Sequence, residues 1–286
     1  MIPIDQLLNT IMFDDVLDGL RKIPDETVHL VCTSPPYNIN IKYKNRKDND
    51  PYAHYLAWLK DILIECKRVL VSGGRIAINI DSVRNLQDGE EYMRPIYADL
   101  VNIGREIGLK FRVEICWYKQ NWSGRATAFG SWCSCSNPAL RRTHEYVLVW
   151  SKDEFGLEGD SELSDMTPKE FQEWTFSTWF IQPETKNRNG HPAPYPEELV
   201  TRILKLFSYR GNTILDPFMG TGTTGAVAKM TGRNYIGIDN SEGDVKYARD
   251  RINNIANIFE PYVPRSQRLK ESKAEIPKEV VENEVF

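Results

Sequence analysis

Cysteine is scarce in this chain, with five among 286 residues (Cys32, Cys66, Cys116, Cys133, Cys135) and no C-x-x-C pair. A disulfide framework or structural zinc site is therefore not expected, and reduced thiols are. Long apolar runs are missing too. No stretch approaches the roughly 18 to 20 continuous apolar residues of a membrane span. The opening residues MIPIDQLLNT lack the basic-then-apolar layout of a signal peptide, so no membrane partner and a cytoplasmic location are expected. There is no internal repeat and no net positive charge, the formal balance being −4. Nucleic-acid binding draws its electrostatic part from Lys and Arg neutralising phosphates, so such a partner would have to be met by local charge.

Local charge exists. Residues 101–152 carry Arg105, Lys110, Arg112, Lys119, Arg125, Arg141, Arg142 and Lys152 against Glu106, Glu114 and Glu145. Lys42, Lys44, Arg46 and Lys47 form a second basic run, whereas residues 153–173 hold eight acids and one lysine. Any one such run is ordinarily a solvated face, and only accompanying motifs give it meaning. The apolar content of 41% in this length suffices for one substantial core, hence one catalytic domain with insertions.

Along the chain, residues 28–33 (VHLVCT) read as a buried strand stopped by Pro35 and Pro36. Apolar spacing predicts a helix over 52–70, then a break at Gly73-Gly74 and a strand over 75–80. Helix 95–107, strand 111–118 and strand 144–150 follow. The last third repeats the theme with helix 196–207, strand 213–215, helix 223–231, strand 235–238 and helix 242–257. This alternation predicts an α/β fold, a mostly parallel sheet with helices on both faces and ligands at the carboxyl ends of the strands. Residues 120–142, 153–190 and a polar tail over 263–286 stand outside it; the tail, with five basic and five acidic residues over 265–286, reads as solvated.

Residues 214–224 (ILDPFMGTGTT) set a strand end, a carboxylate and two glycines before a helix. Glycine lets a backbone approach a ligand closely. Gly220-x-Gly222-x-x-Gly225 formally meets the dinucleotide pattern, but Asp216-Pro217-Phe218 is not explained by pyrophosphate binding and suits a cationic or amino-bearing ligand, which disfavours a nicotinamide enzyme. Asp239, 23 residues on, is either a ribose-binding carboxylate at a strand end or a helix cap.

With these residues in view, D-P-F-x-G-x-G-T-T resembles the S-adenosyl-L-methionine loop of amino-methylating DNA methyltransferases. Thr33-Ser34-Pro35-Pro36-Tyr37 resembles their catalytic motif, and His191-Pro192-Ala193-Pro194-Tyr195-Pro196 is similar to the segment touching the methionine half. The order, catalytic motif first and cofactor loop last, matches the circularly permuted β class over about residues 11–258. The resemblance implies a Rossmann-like methyltransferase domain over 1–262, with a catalytic half over 11–152 and a cofactor half over 191–258. Residues 120–142 and 153–190 become DNA-recognition or interface insertions. It implies a cofactor site of Asp15, Thr33, His191, Pro192, Asp216, Pro217, Phe218, Gly220, Gly222, Thr223, Thr224 and Asp239. Asp15, after the strand 11–13, would lie near the adenine, or cap the helix that follows.

An exocyclic amino nitrogen is a poor nucleophile because its lone pair is delocalised into the ring, so catalysis must favour the sp3-like nitrogen of the transition state; two acceptors, one per N–H, can do so. By the resemblance these are Ser34 Oγ and the Pro35 carbonyl, with Pro36 stiffening the loop and Tyr37 stacking on a base extruded from the duplex. No metal is needed. Methylation at cytosine C5 requires a thiolate, normally in a Pro-Cys pair, which this chain lacks; Cys32, Cys133 and Cys135 read as small buried or incidental residues. The S-P-P-Y form goes mostly with cytosine N4, D-P-P-Y with adenine N6, so N4 is the first expectation and N6 the alternative. Duplex DNA is the expected partner, through Lys42, Lys44, Arg46, Arg125, Arg141 and Arg142; a restriction endonuclease and a homodimer are further expected partners. Trp122, Phe129 and Trp132 either help a loop enter the groove or anchor it to the core. An RNA or protein-amide methyltransferase is the rival enzyme, and a dead DNA-binding module the non-enzymatic one.

Overall fold

The computed structural model describes residues 1–38, 50–82, 84–85, 93–119, 131–138, 140, 143–184, 196–255 and 263–275. The short helix α1 (Ile4–Leu7) leads into β1 (Thr10–Phe13), α2 (Val16–Lys22) and β2 (Val28–Thr33). β2 is an apolar, β-branched run in which all but His29 are buried, as befits a central strand covered on both faces. α3 (Tyr52–Val69) turns Tyr52, Tyr55, Leu59, Ile62, Leu63, Cys66 and Val69 inward at helical spacing, and Pro51 stands at its N-cap. β3 (Leu70–Asp81) starts five residues before the predicted strand. The expected break is instead an irregularity within the strand, where Gly73 takes φ 72° and a β-carbon would collide with the Gly156 carbonyl oxygen.

A two-residue ribbon, β4 (Arg84–Asn85) with β5 (Met93–Arg94), precedes α4 (Ile96–Glu106), β6 (Lys110–Tyr118) and β7 (His144–Ser151). Like α1 and the β4–β5 ribbon, a 3-10 turn at Ser161–Leu163, α5 (Pro168–Trp174) and β8 (Thr178–Phe180) are not expected from the sequence. α6 (Glu197–Phe207), β9 (Thr213–Asp216), α7 (Thr223–Met230), β10 (Asn234–Asp239) and α8 (Glu242–Asn253) fall where the alternation puts them. α9 (Arg265–Glu275) lies in the segment read as a solvated tail. It docks on the 3-10 turn, Ser266 N donating to Glu162 at 2.9 Å.

The eight main strands form one sheet in the order β1-β10-β9-β2-β3-β7-β6-β8. Every pairing is parallel except the two made by β7. One face is covered by α2, α3 and α4 over a core including Leu20, Leu59, Leu63, Leu100 and Trp150; the other by α6, α7 and α8 over Leu199, Ile203, Val227 and Ala248. The α/β fold with helices on both faces is thus as expected. No helix among the described residues is long and apolar enough to cross a membrane.

The acids of residues 153–173 are largely engaged within the chain. Asp165 meets Arg233, Glu170 meets Lys205, and Glu154 lies 3.7 Å from Lys110. Glu170 also completes a capping box with Thr167 at the start of α5.

Candidate active site

The strand order fixes where a ligand can sit. From β9 the chain crosses through α7 to β10 on one side, and from β2 through α3 to β3 on the other, so the order reverses between β9 and β2. A crevice opens outside the carboxyl ends of strands at such a point. The loops bearing both sequence motifs leave β2 and β9 there, and they are joined across it by Thr33 Oγ1 donating to Asp216 Oδ1 at 2.6 Å.

Asp216 is 1% exposed and organises the glycine loop from within. Its Oδ1 also accepts from Phe218 N at 3.0 Å, and its Oδ2 accepts from Thr224 Oγ1 at 2.6 Å. Burial raises the carboxyl from 3.8 to about 6; the bonds from Thr224, Thr33 and Phe218 N oppose that rise and the nearby Asp239 charge adds to it. Gly222 begins α7 at φ 81°, and a β-carbon there would come within 2.8 Å of Ala248 Cβ; a Gly225 β-carbon would lie 2.7 Å from Ile252 Cδ1. The two glycines therefore let α7 press against α8, a packing role beside the close approach to a ligand expected of the loop from the sequence. Arg251 holds the loop from α8, donating to Thr221 O at 2.9 Å and Glu197 Oε1 at 2.6 Å.

At the mouth, half-buried Asp239 ends β10, its Oδ2 accepting from Gly220 N and its Oδ1 from Ser241 N, each at 2.8 Å. Each carboxylate oxygen can accept a second bond, so this pair suits a diol. Asp14 N donates to Asp239 O at 3.0 Å, which sets Asp15 beside it; Asp15 is exposed and caps α2 by accepting from Leu17 N at 2.9 Å. The N-terminal strand β1 therefore lies next to β10, Phe13 opposite Asp239.

Ser34 and Tyr37 are half-buried and Pro35 buried. Tyr55, 1% exposed on α3, donates its hydroxyl to Pro36 O at 2.9 Å and pins the loop. Asn38, at φ 56°, closes it by exchanging two 2.8 Å bonds with Asp50. Tyr37 Oη meets Ser34 Oγ at 3.1 Å, Asn79 Nδ2 at 2.7 Å and Glu145 Oε2 at 3.1 Å. Asn79 Nδ2 also donates to Glu145 Oε2 at 2.7 Å, and Glu145 Oε1 is ion-paired with Lys119. Tyr55, Asn79, Glu145 and Lys119 carry no motif signal; in the sequence Glu145 and Lys119 count only as charges of a basic stretch, and their pairing needs β6 and β7 to be adjacent.

His191, Pro192, Lys42, Lys44, Arg46, Arg125, Arg141 and Arg142, like Trp122 and Phe129, lie outside the described residues. Trp132 is 71% exposed, so its ring is not an anchor in the core. The three thiols read as small buried or incidental residues differ: Cys32 is buried in β2, while Cys133 and Cys135 are exposed. No cluster of His, Cys, Asp or Glu among the described residues could hold a metal ion.

Comparison with known proteins agrees with this geometry. The N6_N4_Mtase family, described as DNA methylase, matches residues 28–250. The type II methyltransferase M.MjaVI of Methanocaldococcus jannaschii is 37% identical over 177 residues, covering 62% of this chain and 87% of its own. The type II methyltransferase M.BglII of Bacillus subtilis is 30% identical over 282 residues, covering 88% of this chain and 73% of its own. Among solved structures, TTHA0409 of Thermus thermophilus in complex with S-adenosyl-L-methionine superposes with a TM-score of 0.69 at 25% identity, covering 89% of this chain and 97% of that one. With a catalytic-type loop and a glycine loop tied together across the sheet's reversal point, and with this match over most of its length, the chain belongs to the N6_N4_Mtase family of DNA methylases.

Proposed function

We propose that this DNA methyltransferase transfers a methyl group from S-adenosyl-L-methionine to the exocyclic N4 of cytosine in duplex DNA. The observation that carries the reading is the Thr33–Asp216 bond, which sets the residue before Ser34 against the cofactor loop. The donor set fits the cofactor: Asp239 offers two acceptor oxygens where a ribose diol would lie, and the crevice beside Ser34 is where the methionine half would point. When bound, the cofactor supplies an electrophilic methyl on a sulfonium. This chain's part is to hold the base amino group in line with it, the Ser34 Oγ and Pro35 carbonyl each accepting one N–H as the nitrogen becomes sp3-like. Tyr37 then bounds the pocket for an extruded base.

Serine at the first motif position favours cytosine N4 over adenine N6. The reading of the chain as a circular permutation is supported by β1 lying beside β10, so that the amino terminus completes the cofactor half. Asp15 is assigned to the adenine side of that half, His191 and Pro192 to the methionine side. Lys42, Lys44, Arg46, Arg125, Arg141 and Arg142 are assigned to the DNA backbone. The relatives named type II methyltransferases make a cognate restriction endonuclease a reasonable partner.

The test offers methyl-labelled S-adenosyl-L-methionine with duplex DNA, structured RNA and a protein mixture in parallel. Label entering DNA alone is expected. Label entering RNA or protein in preference overturns the substrate class, and no transfer to any of them favours a DNA-binding module without activity.

A further inference from the structure

We propose that Glu145, which lies on β7 outside both motifs, is a positioning residue that fixes the direction of the hydrogen bonds reaching Ser34. This rests on the reading of Ser34 as an acceptor for the substrate amino group. A serine hydroxyl is ambiguous, since it can present its own O–H or its lone pairs. Toward an amino group whose hydrogens must be accepted, only the lone pairs serve.

The surrounding bonds remove that ambiguity. Glu145, as a carboxylate ion-paired with Lys119, can only accept. Asn79 Nδ2 lies 2.7 Å from both Glu145 Oε2 and Tyr37 Oη, so its amide faces the pair with its donors. Tyr37 has one O–H, and the carboxylate 3.1 Å away takes it. Its oxygen is then an acceptor for Asn79, and the contact between Ser34 and Tyr37 at 3.1 Å has to be donated by Ser34. The serine proton points away from the crevice, leaving lone pairs for the substrate. Asn79 Oδ1 is buried and has no hydrogen-bond partner among the described residues, an arrangement that costs about 1–3 kcal/mol and is found where another requirement, here the direction of the amide, overrides it.

Glu145→Gln keeps the shape and removes the acceptor that sets the direction. Lys119 holds the amide oxygen, so the amide NH2 faces Tyr37 and Asn79. The phenol then has no carboxylate to take its proton, and the bond between Tyr37 and Ser34 can run either way, so that Ser34 no longer presents only lone pairs to the substrate. The experiment measures kcat, the DNA KM and S-adenosyl-L-methionine affinity for the wild type, Glu145→Gln, Tyr37→Phe and the double variant. We expect kcat to fall by about tenfold or more in Glu145→Gln, below the roughly 100- to 1,000-fold of a direct transition-state partner. KM and cofactor affinity should stay within about twofold. In the Tyr37→Phe background, which cuts the chain of bonds, Glu145→Gln should lower kcat no further, a non-additivity that marks groups acting as one unit.

An unchanged kcat in Glu145→Gln, additive losses in the double variant, or parallel loss of cofactor affinity and kcat each overturn the proposal while leaving the DNA methyltransferase reading intact. A folded wild type that methylates no base amino group would overturn that reading and this inference together.

Discussion

Asp165 sits in the acidic segment whose part in the molecule is least readable from sequence, and replacing it with alanine tests whether that segment belongs to the folded body. The Arg233 side chain is fully buried and Asp165 is 10% exposed. Every guanidinium N–H has an acceptor. Nε donates to Ser208 Oγ at 2.8 Å, Nη1 to Asp165 Oδ2 at 2.9 Å and Thr231 O at 3.0 Å, and Nη2 to Asp165 Oδ1 and Ser208 O at 2.8 Å each. Asp165→Ala strands two donors and leaves a buried cation without its counter-charge. Breaking such a pair from one side costs about 3–5 kcal/mol. Because Asp165 is reached by some water, the lower end, about 3 kcal/mol, is expected. With a urea m-value of about 3 kcal/mol/M, the upper end for small proteins, the unfolding midpoint drops by about 1 M. Glu173→Ala is the control: its 3.9 Å pair with Lys169 has side chains 57% and 86% exposed, and its loss should cost less than about 0.5 kcal/mol. A drop below about 1 kcal/mol in Asp165→Ala would refute the reasoning, as would a fall no smaller in Asp165→Leu combined with Arg233→Met, where no charge remains buried.

Asp216 gives a pH test. Its folded value of about 6 lies above the ordinary 3.8, so the folded state binds more protons between those values and stability falls as pH rises through that window, by about 2 kcal/mol from pH 4.5 to 7. Asp216→Asn should remove this slope in urea melts at the two pH values; a wild-type slope retained in the variant contradicts the burial account. Ser34→Ala should lower kcat by about 100-fold or more while leaving the cofactor dissociation constant within about twofold, as for a group acting on the transition state; equal losses in the two would remove that role. Asp239→Ala should do the reverse, weakening cofactor binding by about tenfold or more through two lost charged hydrogen bonds, measured by calorimetry. An unchanged dissociation constant takes Asp239 out of the ribose site.

The parts of the fold that the sequence displays are those with a clear apolar pattern. α3 and α6 are readable because buried positions recur at helical spacing, β2 and β10 because they are short, continuous buried runs. β3 starts earlier than its pattern suggests because a Gly-Gly pair signals a break equally well when it is an irregularity within a strand. α5 and β8 escape because neither has the length to show a period: α5 has seven residues and no buried one, and β8 has three. α9 is mostly polar, with Leu269 its one large apolar residue, and is positioned by Glu162 and by Arg268 bonded to Ser164 O, contacts more than 100 residues apart in the chain. The motif loops are legible because their chemistry is local. The groups that orient them are not: Tyr55, Asn79 and Glu145 meet Pro36 and Tyr37 from 19, 42 and 108 residues away, and nothing in a single sequence marks such a partnership.

Everything proposed for the site turns on Ser34, held against the cofactor loop through Thr33 and Asp216, presenting an exocyclic amino group for methylation. The most direct measurement incubates the protein with S-adenosyl-L-methionine and duplex DNA of mixed sequence, digests the DNA to nucleosides and identifies the methylated one by mass spectrometry. N4-methylcytosine is the predicted product. N6-methyladenine would preserve the site and its chemistry and contradict the assignment of serine to cytosine, and 5-methylcytosine would contradict the amino-group mechanism itself.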